Sequence, residues 1–330
     1  MSCLKACCVS LPVGIGIGVV AWTVSHRRPD PMVQTVKWQS PQIKVADGVI
    51  YHYFAEGSTM VRGTKSDAIV LDLDLARSPC QLEIAASDVK RRKGGKLFGA
   101  ALTVRDWCEK RNAIGGINGG FFGDTDGLNR QIEGLFILKG HVYNSGKWIK
   151  STRKHESYVR SAFGLEADGT PHIGWATVSS SGALKLYSNP IAPAKSTEIK
   201  VASAIACGPR LLRAGEAVIT DGEERLVSNY ALPRTFVAYS RSSKSGGRPK
   251  HVILGIAMEM TYEDVARFVR NYFVTEYNET SIEAMCLDGG ASTQLAFRIP
   301  EARESTTEKM FQDTRPSLVP VPTAVLIRPR

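Results

Sequence analysis

Ala284-Met285-Cys286-Leu287-Asp288-Gly289-Gly290-Ala291-Ser292-Thr293 is a short apolar run that stops at an aspartate, followed by two glycines and two hydroxyls. It reads as a buried strand that delivers a carboxylate to a sheet edge and then turns sharply. Glycine tolerates positive φ and lets another backbone or a ligand approach closely. A second stretch has the same form: Ala113-Ile114-Gly115-Gly116-Ile117-Asn118-Gly119-Gly120-Phe121-Phe122. Two strand ends, each with one polar side chain beside a Gly-Gly pair, predict a shared site in which Asp288 and Asn118 face one anion-accepting cleft.

Each corner follows a helix signal. Thr103 and Asp106 have capping-box spacing, with Asp in place of the usual Glu, and predict a helix over Val104 to Arg111. Thr261 and Asp264 cap a second one, in which Val265, Phe268, Val269, Tyr272 and Phe273 recur at helical spacing. Strands are predicted at 67–75, where the alternation suggests a half-buried strand, and at 82–86, 135–138, 161–165, 201–206, 235–240, 252–257 and 323–327. Lys90 to Gly95 reads as a basic turn or loop. Many strands and few helices predict an α+β fold, a mixed or antiparallel sheet with flanking helices. No solenoid or propeller period and no low-complexity segment is present.

The chain has 330 residues, 43% of them hydrophobic and 22% charged, ample for a large core. Its net charge of +10 favours anionic partners. The basic clusters at Lys90-Arg91-Arg92-Lys93 and at Arg241, Lys244, Arg248 and Lys250 carry no nucleic-acid-binding signature, so no nucleic-acid partner is expected.

Val9 to Val24 is nearly free of polar residues and follows Lys5, so residues 1–26 read as a signal or membrane-anchor segment. The expectation is export to a periplasmic or extracellular location, with membrane contact through this segment if it is retained. His26-Arg27-Arg28 argue the other way, since positive flanks tend to stay cytoplasmic. Residues 27–42 read as a linker and 43–330 as the folded domain. Cys80, Cys108, Cys207 and Cys286 belong to the body. They allow either two disulfides or buried free thiols, and no CxxC pair suggests zinc.

Asp288, at a buried strand end, suits a nucleophile, a general acid or a metal ligand; as a turn residue it would bond nearby N–H groups. Ser292, Thr293 and the backbone of Gly289 and Gly290 suit an anion. Glu133, before the apolar run Leu135–Leu138, is a second carboxylate for the site. Asn118, Gly119, Gly120 and Phe121 offer an amide and an aromatic face that suit a sugar. Arg234 and Thr235 open a strand, and arginine matches phosphate in a bidentate fork. Arg210, after Cys207-Gly208-Pro209, faces an anion or solvent. Asp124-Thr125-Asp126-Gly127-Leu128-Asn129 begins like a calcium loop, but its glycine comes too early for an EF-hand. No cofactor is required on this reading; a divalent cation, calcium or magnesium, is an open alternative. His141, His155, His172 and His251 show no metal spacing. There is no nucleophile elbow, Walker loop or Rossmann fingerprint.

Asn118-Gly119-Gly120-Phe121-Phe122, Cys207-Gly208-Pro209, Arg234-Thr235 and Leu287-Asp288-Gly289-Gly290 with Ser292-Thr293 occur in that order, followed by Arg315-Pro316 and a closing strand. In this the chain resembles the phosphodiester glycosidase domain family, over roughly Gly48 to Arg328. It departs from the family pattern at Ala291, where a third glycine is common, and at Gln131-Ile132-Glu133-Gly134, where proline usually precedes the glycine. The resemblance implies hydrolysis of a sugar-1-phosphodiester, N-acetylglucosamine-1-phosphodiester among them. Asp288 is then the catalytic carboxylate and Glu133 its partner, with a sugar-phosphate or polysaccharide substrate. Two other readings compete: a phosphodiesterase that cleaves the P–O bond, and a non-catalytic protein of exopolysaccharide binding or assembly.

Overall fold

The computed structural model describes residues 42–330 except 62, 65, 151–155, 227–229, 242–247, 299–310 and 314–318. The segment 1–26, and the linker apart from Gln42, lie outside the described residues, as do His155, Lys244 and Arg315-Pro316.

Among the described residues there are five sheets, and the four with more than two strands carry the fold. The largest has eight strands in the order Gln42–Ala46, Val49–Phe54, Ala68–Asp74, Pro249–Met260, Leu232–Arg241, Ile282–Cys286, Arg210–Arg213, Glu216–Ala217. A seven-stranded sheet is built around Ser161–Leu165 and Ser203–Cys207. A five-stranded one sets Gly115–Asn118 between Leu295–Arg298 and Ala324–Pro329. A four-stranded one holds the hairpin Phe122–Asp126 and Asn129–Ile132. The pairings within the largest sheet are all antiparallel.

The expected α+β class with flanking helices is therefore corrected. The protein is mostly β, with a sheet curled into a half-barrel. Among the described residues there are two α-helices, α1 (Val104–Arg111) and α2 (Tyr262–Tyr277). Both form where their caps predict, but each covers one patch of sheet rather than a layer. Short strands account for the rest: Asn129–Ile132, Leu184–Tyr187 and Arg210–Arg213 have four residues each, too few to show a period.

Each helix starts with a reciprocal Thr–Asp capping box and ends at an asparagine in the left-handed conformation, Asn112 and Asn278. α2 buries Val265, Phe268, Val269, Tyr272 and Phe273 against Val70, Phe236, Ala238, Ile253 and Ala284 of the largest sheet. At about 1.5–3 kcal/mol for each large apolar side chain, this face fixes the helix more firmly than its caps do. α1 packs Val104, Trp107 and Cys108 on Ala296, Ala324 and Leu326. The main core, with Leu71, Ile117, Phe163, Ile205, Val237, Met285, Leu287 and Val325, fills the space enclosed by the sheets.

The strand Ala68–Asp74 is buried on both faces, not half-buried as its alternation suggests. Its Asp72 is 2% exposed and accepts hydrogen bonds from the hydroxyls of Tyr272 (2.6 Å) and Tyr277 (2.5 Å) on α2. The polar member of the alternation thus faces a helix instead of water. Cys80, Cys108, Cys207 and Cys286 are all buried. Among the described residues no helix is long and apolar enough to cross a membrane.

Candidate active site

Two strand ends build the corner. Along Ile282–Cys286, Ala284 and Cys286 face α2 while Met285, and then Leu287, enter the main core. The chain leaves the sheet at Asp288. Gly290 has φ +63 and opens a 3-10 turn over Gly290–Ser292, and nothing lies within 4 Å of where its Cβ would sit. That positive φ suits glycine. In the second corner Gly120 passes so near Ala206 that a Cβ would stand 2.6 Å from its carbonyl oxygen.

Asn118 ties the corners together. Its amide nitrogen donates to the Asp288 carbonyl (2.7 Å). Its oxygen accepts from the Thr235 hydroxyl (2.8 Å) and from the Gln294 N–H (3.0 Å). The backbone adds Asp288 N–H to Gly119 carbonyl (3.1 Å) and Leu287 N–H to Thr235 carbonyl (2.8 Å). Gly120 N–H donates to Thr323 Oγ1 (3.1 Å). Gln294, which the sequence does not single out, also accepts from the first N–H of α1, Val104, at 3.1 Å.

Asp288 is the chemically poised group. Burial pushes its carboxyl up to about 6; the Ser292 hydroxyl and the Gly289 N–H oppose this, and the Glu133 charge adds to it. Glu133 is exposed, and its N–H donates to the Phe121 carbonyl (3.1 Å). A cleft of about 310 Å³ opens on the Glu133 side, lined by Lys96, Gln131, Glu133, Gly134 and Asn144 among others. A larger one, about 510 Å³, lies by Gln81–Ile84 and Leu165–Ala167 and holds neither carboxylate. Chemistry, not size, locates the site.

The corners meet as expected, but the predicted substrate ligands divide. Asp288, Glu133, Phe121, Gly289 and Gly290 are at least partly accessible. Asn118, Gly119, Gly120, Thr235 and Thr293 are buried, and the first four hold the corner through the bonds above. Thr293 Oγ1 has no hydrogen-bond partner. Ser292, 7% exposed, serves Asp288 itself. Arg234 is 6% exposed, with Nε on the Met260 carbonyl (3.1 Å), Nη2 on the Tyr230 carbonyl (2.7 Å) and its guanidinium 3.9 Å from the Tyr262 ring centroid. Arg210 pairs with buried Glu283.

The calcium-loop-like segment is a hairpin whose acids are ion-paired: Asp124 with Lys96 (2.6 Å) and Asp126 with Arg92 (3.1 Å). Among the described residues no three His, Cys, Asp or Glu side chains converge as a metal site.

Glu224 is a buried acid the sequence does not reveal, because Asp221-Gly222-Glu223-Glu224-Arg225 looks like a surface charge run. It is wholly buried. It accepts from Ser161 N–H (2.8 Å), Ser161 Oγ (2.6 Å), Thr220 Oγ1 (2.6 Å), Trp175 Nε1 (3.2 Å) and Arg210 N–H (3.3 Å). Burial raises its carboxyl, and these donors pull it down.

Residues 111–328 match the family model described as phosphodiester glycosidase. No curated protein matches the chain. Solved structures with a similar fold include the following two. One is the catalytic domain of zebrafish N-acetylglucosamine-1-phosphodiester alpha-N-acetylglucosaminidase, auto-inhibited by its pro-peptide. It is 17% identical, with a TM-score of 0.52, covering 86% of this chain and 85% of that one. The other is a hypothetical protein from Synechocystis, 13% identical, with a TM-score of 0.50, covering 86% of this chain and 62% of that one.

Proposed function

The chain belongs to the phosphodiester glycosidase family, and from that premise we propose that it hydrolyses a sugar-1-phosphodiester at the anomeric carbon. The products are free sugar and a phosphomonoester, and an N-acetylglucosamine-1-phosphodiester is the first substrate to try. The observation that carries this reading is Asp288: a carboxyl at a glycine corner, raised to about 6 and set against a second carboxylate, Glu133.

Breaking the C1–O bond builds oxocarbenium character at C1. Ionised Asp288 stabilises that charge, as nucleophile or as the base that takes a proton from water. Glu133 is its partner. The electron pair of the broken bond leaves with the phosphate, which is already a good leaving group and needs little protonation. At neutral pH Asp288 is mostly ionised, as this role requires. The Gly289 N–H and the Ser292 hydroxyl favour the ionised form of Asp288 that this role needs.

The experiment is a panel of UDP-sugars and synthetic sugar phosphodiesters, with products identified by phosphorus NMR. Free sugar plus phosphomonoester is expected. Sugar-1-phosphate would instead assign P–O cleavage. Glycan binding across the panel with no turnover would assign a non-catalytic polysaccharide-binding role. Export is part of the proposal and is supported by the apolar run Val9 to Val24; cell fractionation tests it.

A further inference from the structure

A phosphodiester carries a negative charge, yet the groups that set the ionisation of Asp288 are burial, Ser292, Gly289 and Glu133, with no cation among them. Arg234 does not fill the gap, since two backbone carbonyls and the Tyr262 ring hold it inside the protein. Arg160 differs. Its guanidinium carbon lies 5.6 Å from the centroid of the Phe121 ring and 5.8 Å from that of Tyr158. Its Nη1 is buried and has no hydrogen-bond partner.

Phe121 belongs to the corner. Its carbonyl accepts from the Glu133 N–H at 3.1 Å, and two residues earlier the Gly119 carbonyl accepts from the Asp288 N–H at 3.1 Å. Arg160 is therefore one aromatic ring away from the chain segments that carry both carboxylates. Arg225 brings a second guanidinium to Tyr158, 5.7 Å from its ring centroid. The rings hold the Arg160 fork by cation–π contact and leave its Nη1 for another partner. An N–H shut away from water with no acceptor is unfavourable, and a phosphate oxygen relieves it with the geometry guanidinium fits best.

We propose that Arg160, held against Phe121 and Tyr158 beside the Asp288–Glu133 corner, binds the phosphate oxygens of the substrate, with Arg225 adding positive charge at the Tyr158 ring. The identity of the ligand as a sugar phosphodiester rests on the hydrolase reading; phosphate recognition by Arg160 does not depend on turnover.

Inorganic phosphate titrated into the full chain, followed by calorimetry, tests binding, and steady-state kinetics on the best phosphodiester of the panel tests use. Arg160→Gln should weaken phosphate binding and raise KM by roughly ten- to a hundredfold, the loss of one charge-assisted fork. Its kcat should fall less than its KM rises. Arg160→Lys keeps the charge without the fork and should lie between the two. Thermal melting and near-ultraviolet circular dichroism check folding; if the glutamine variant does not fold, the lysine variant decides. Wild-type phosphate affinity and KM in the folded variant would overturn the assignment, as would a wild-type protein that binds no phosphate. Arg160-dependent phosphate binding with no turnover of any phosphodiester would keep Arg160 and sink the hydrolase reading. Turnover with KM untouched in Arg160→Gln would do the reverse.

Discussion

Asp288, partly accessible, and Glu224, wholly buried, are two carboxylates that lie near the same Cys207-Gly208-Pro209 turn, and the fold treats them in opposite ways. A Cβ on Gly208 would come within 2.5 Å of Glu224 Oε2, and the Asp288 charge adds to burial in raising the Cys207 thiol. Both acids are raised by burial. Glu224 is surrounded by five donors, which occupy its oxygens. Asp288 receives only the Ser292 hydroxyl and the Gly289 N–H, and the charge of another carboxylate, Glu133, adds to the effect of burial. A saturated buried acid is a structural post that pins Ser161, Trp175 and Thr220 together. An under-supplied one beside a like charge stores unfavourable electrostatics, the arrangement expected of a reacting group.

The contrast breaks most readily at Asp288. Asp288→Asn should lower kcat by on the order of a thousandfold or more. It should also make the protein more stable at pH 7, by up to about 3 kcal/mol, since the neutral amide escapes burial and the Glu133 charge. Denaturant melts of the pair measure this, and a variant both active and no more stable would erase the distinction. Glu224→Ala should do the opposite. It strands five donors, should cost about 3–5 kcal/mol of stability, and should leave kcat of the folded fraction within a few-fold of wild type.

Glu133→Gln should lower kcat by roughly a hundredfold. The pH profile sharpens the same point. With Asp288 as carboxylate, kcat/KM should rise about tenfold per pH unit up to about 6 and level off above. A proton-donor role would invert that limb. Removing the Glu133 charge should move the limb down. Stability runs the other way: the folded value exceeds the unfolded 3.8, so the folded state holds the proton more tightly and stability should fall between about pH 4 and 6, then flatten. The smallest effect is expected at Ser292→Ala. Losing one donor should move the limb up by about half to one pH unit, and cut kcat/KM near pH 6 by about two- to sixfold.

Much of this was legible in local sequence because the signals are local. The threonine–aspartate caps, the apolar faces of the helices and the glycine corners all act within a few residues. The carboxylate at the strand end needed only the abrupt stop after Leu287. The direction a polar side chain takes is not local. Asn118 beside two glycines has the same signature whether its amide meets a ligand or, as it does, a backbone carbonyl 170 positions away. Arg234 opens a strand as a phosphate-binding arginine would, but the Tyr262 ring and two carbonyls claim it. Arg160 gave no signal, because Phe121 comes against it only once the sheets assemble. The fold class failed for a related reason. Strands of two to four residues leave no period to read, so the sheets were undercounted and the helices given too much weight.

The Asn118–Asp288 bond also bears on the life of the chain before it is finished. Asp288 leaves the ribosome 170 residues after its partner. Until then the Asn118 amide lacks the carbonyl that orients it, and the Gly119 carbonyl lacks its donor. A growing polypeptide can assemble local hairpins early, but competence must arrive late and all at once, when the C-terminal third docks. A product that stops before Asp288 therefore lacks the partner that closes the corner, however well its hairpins have formed.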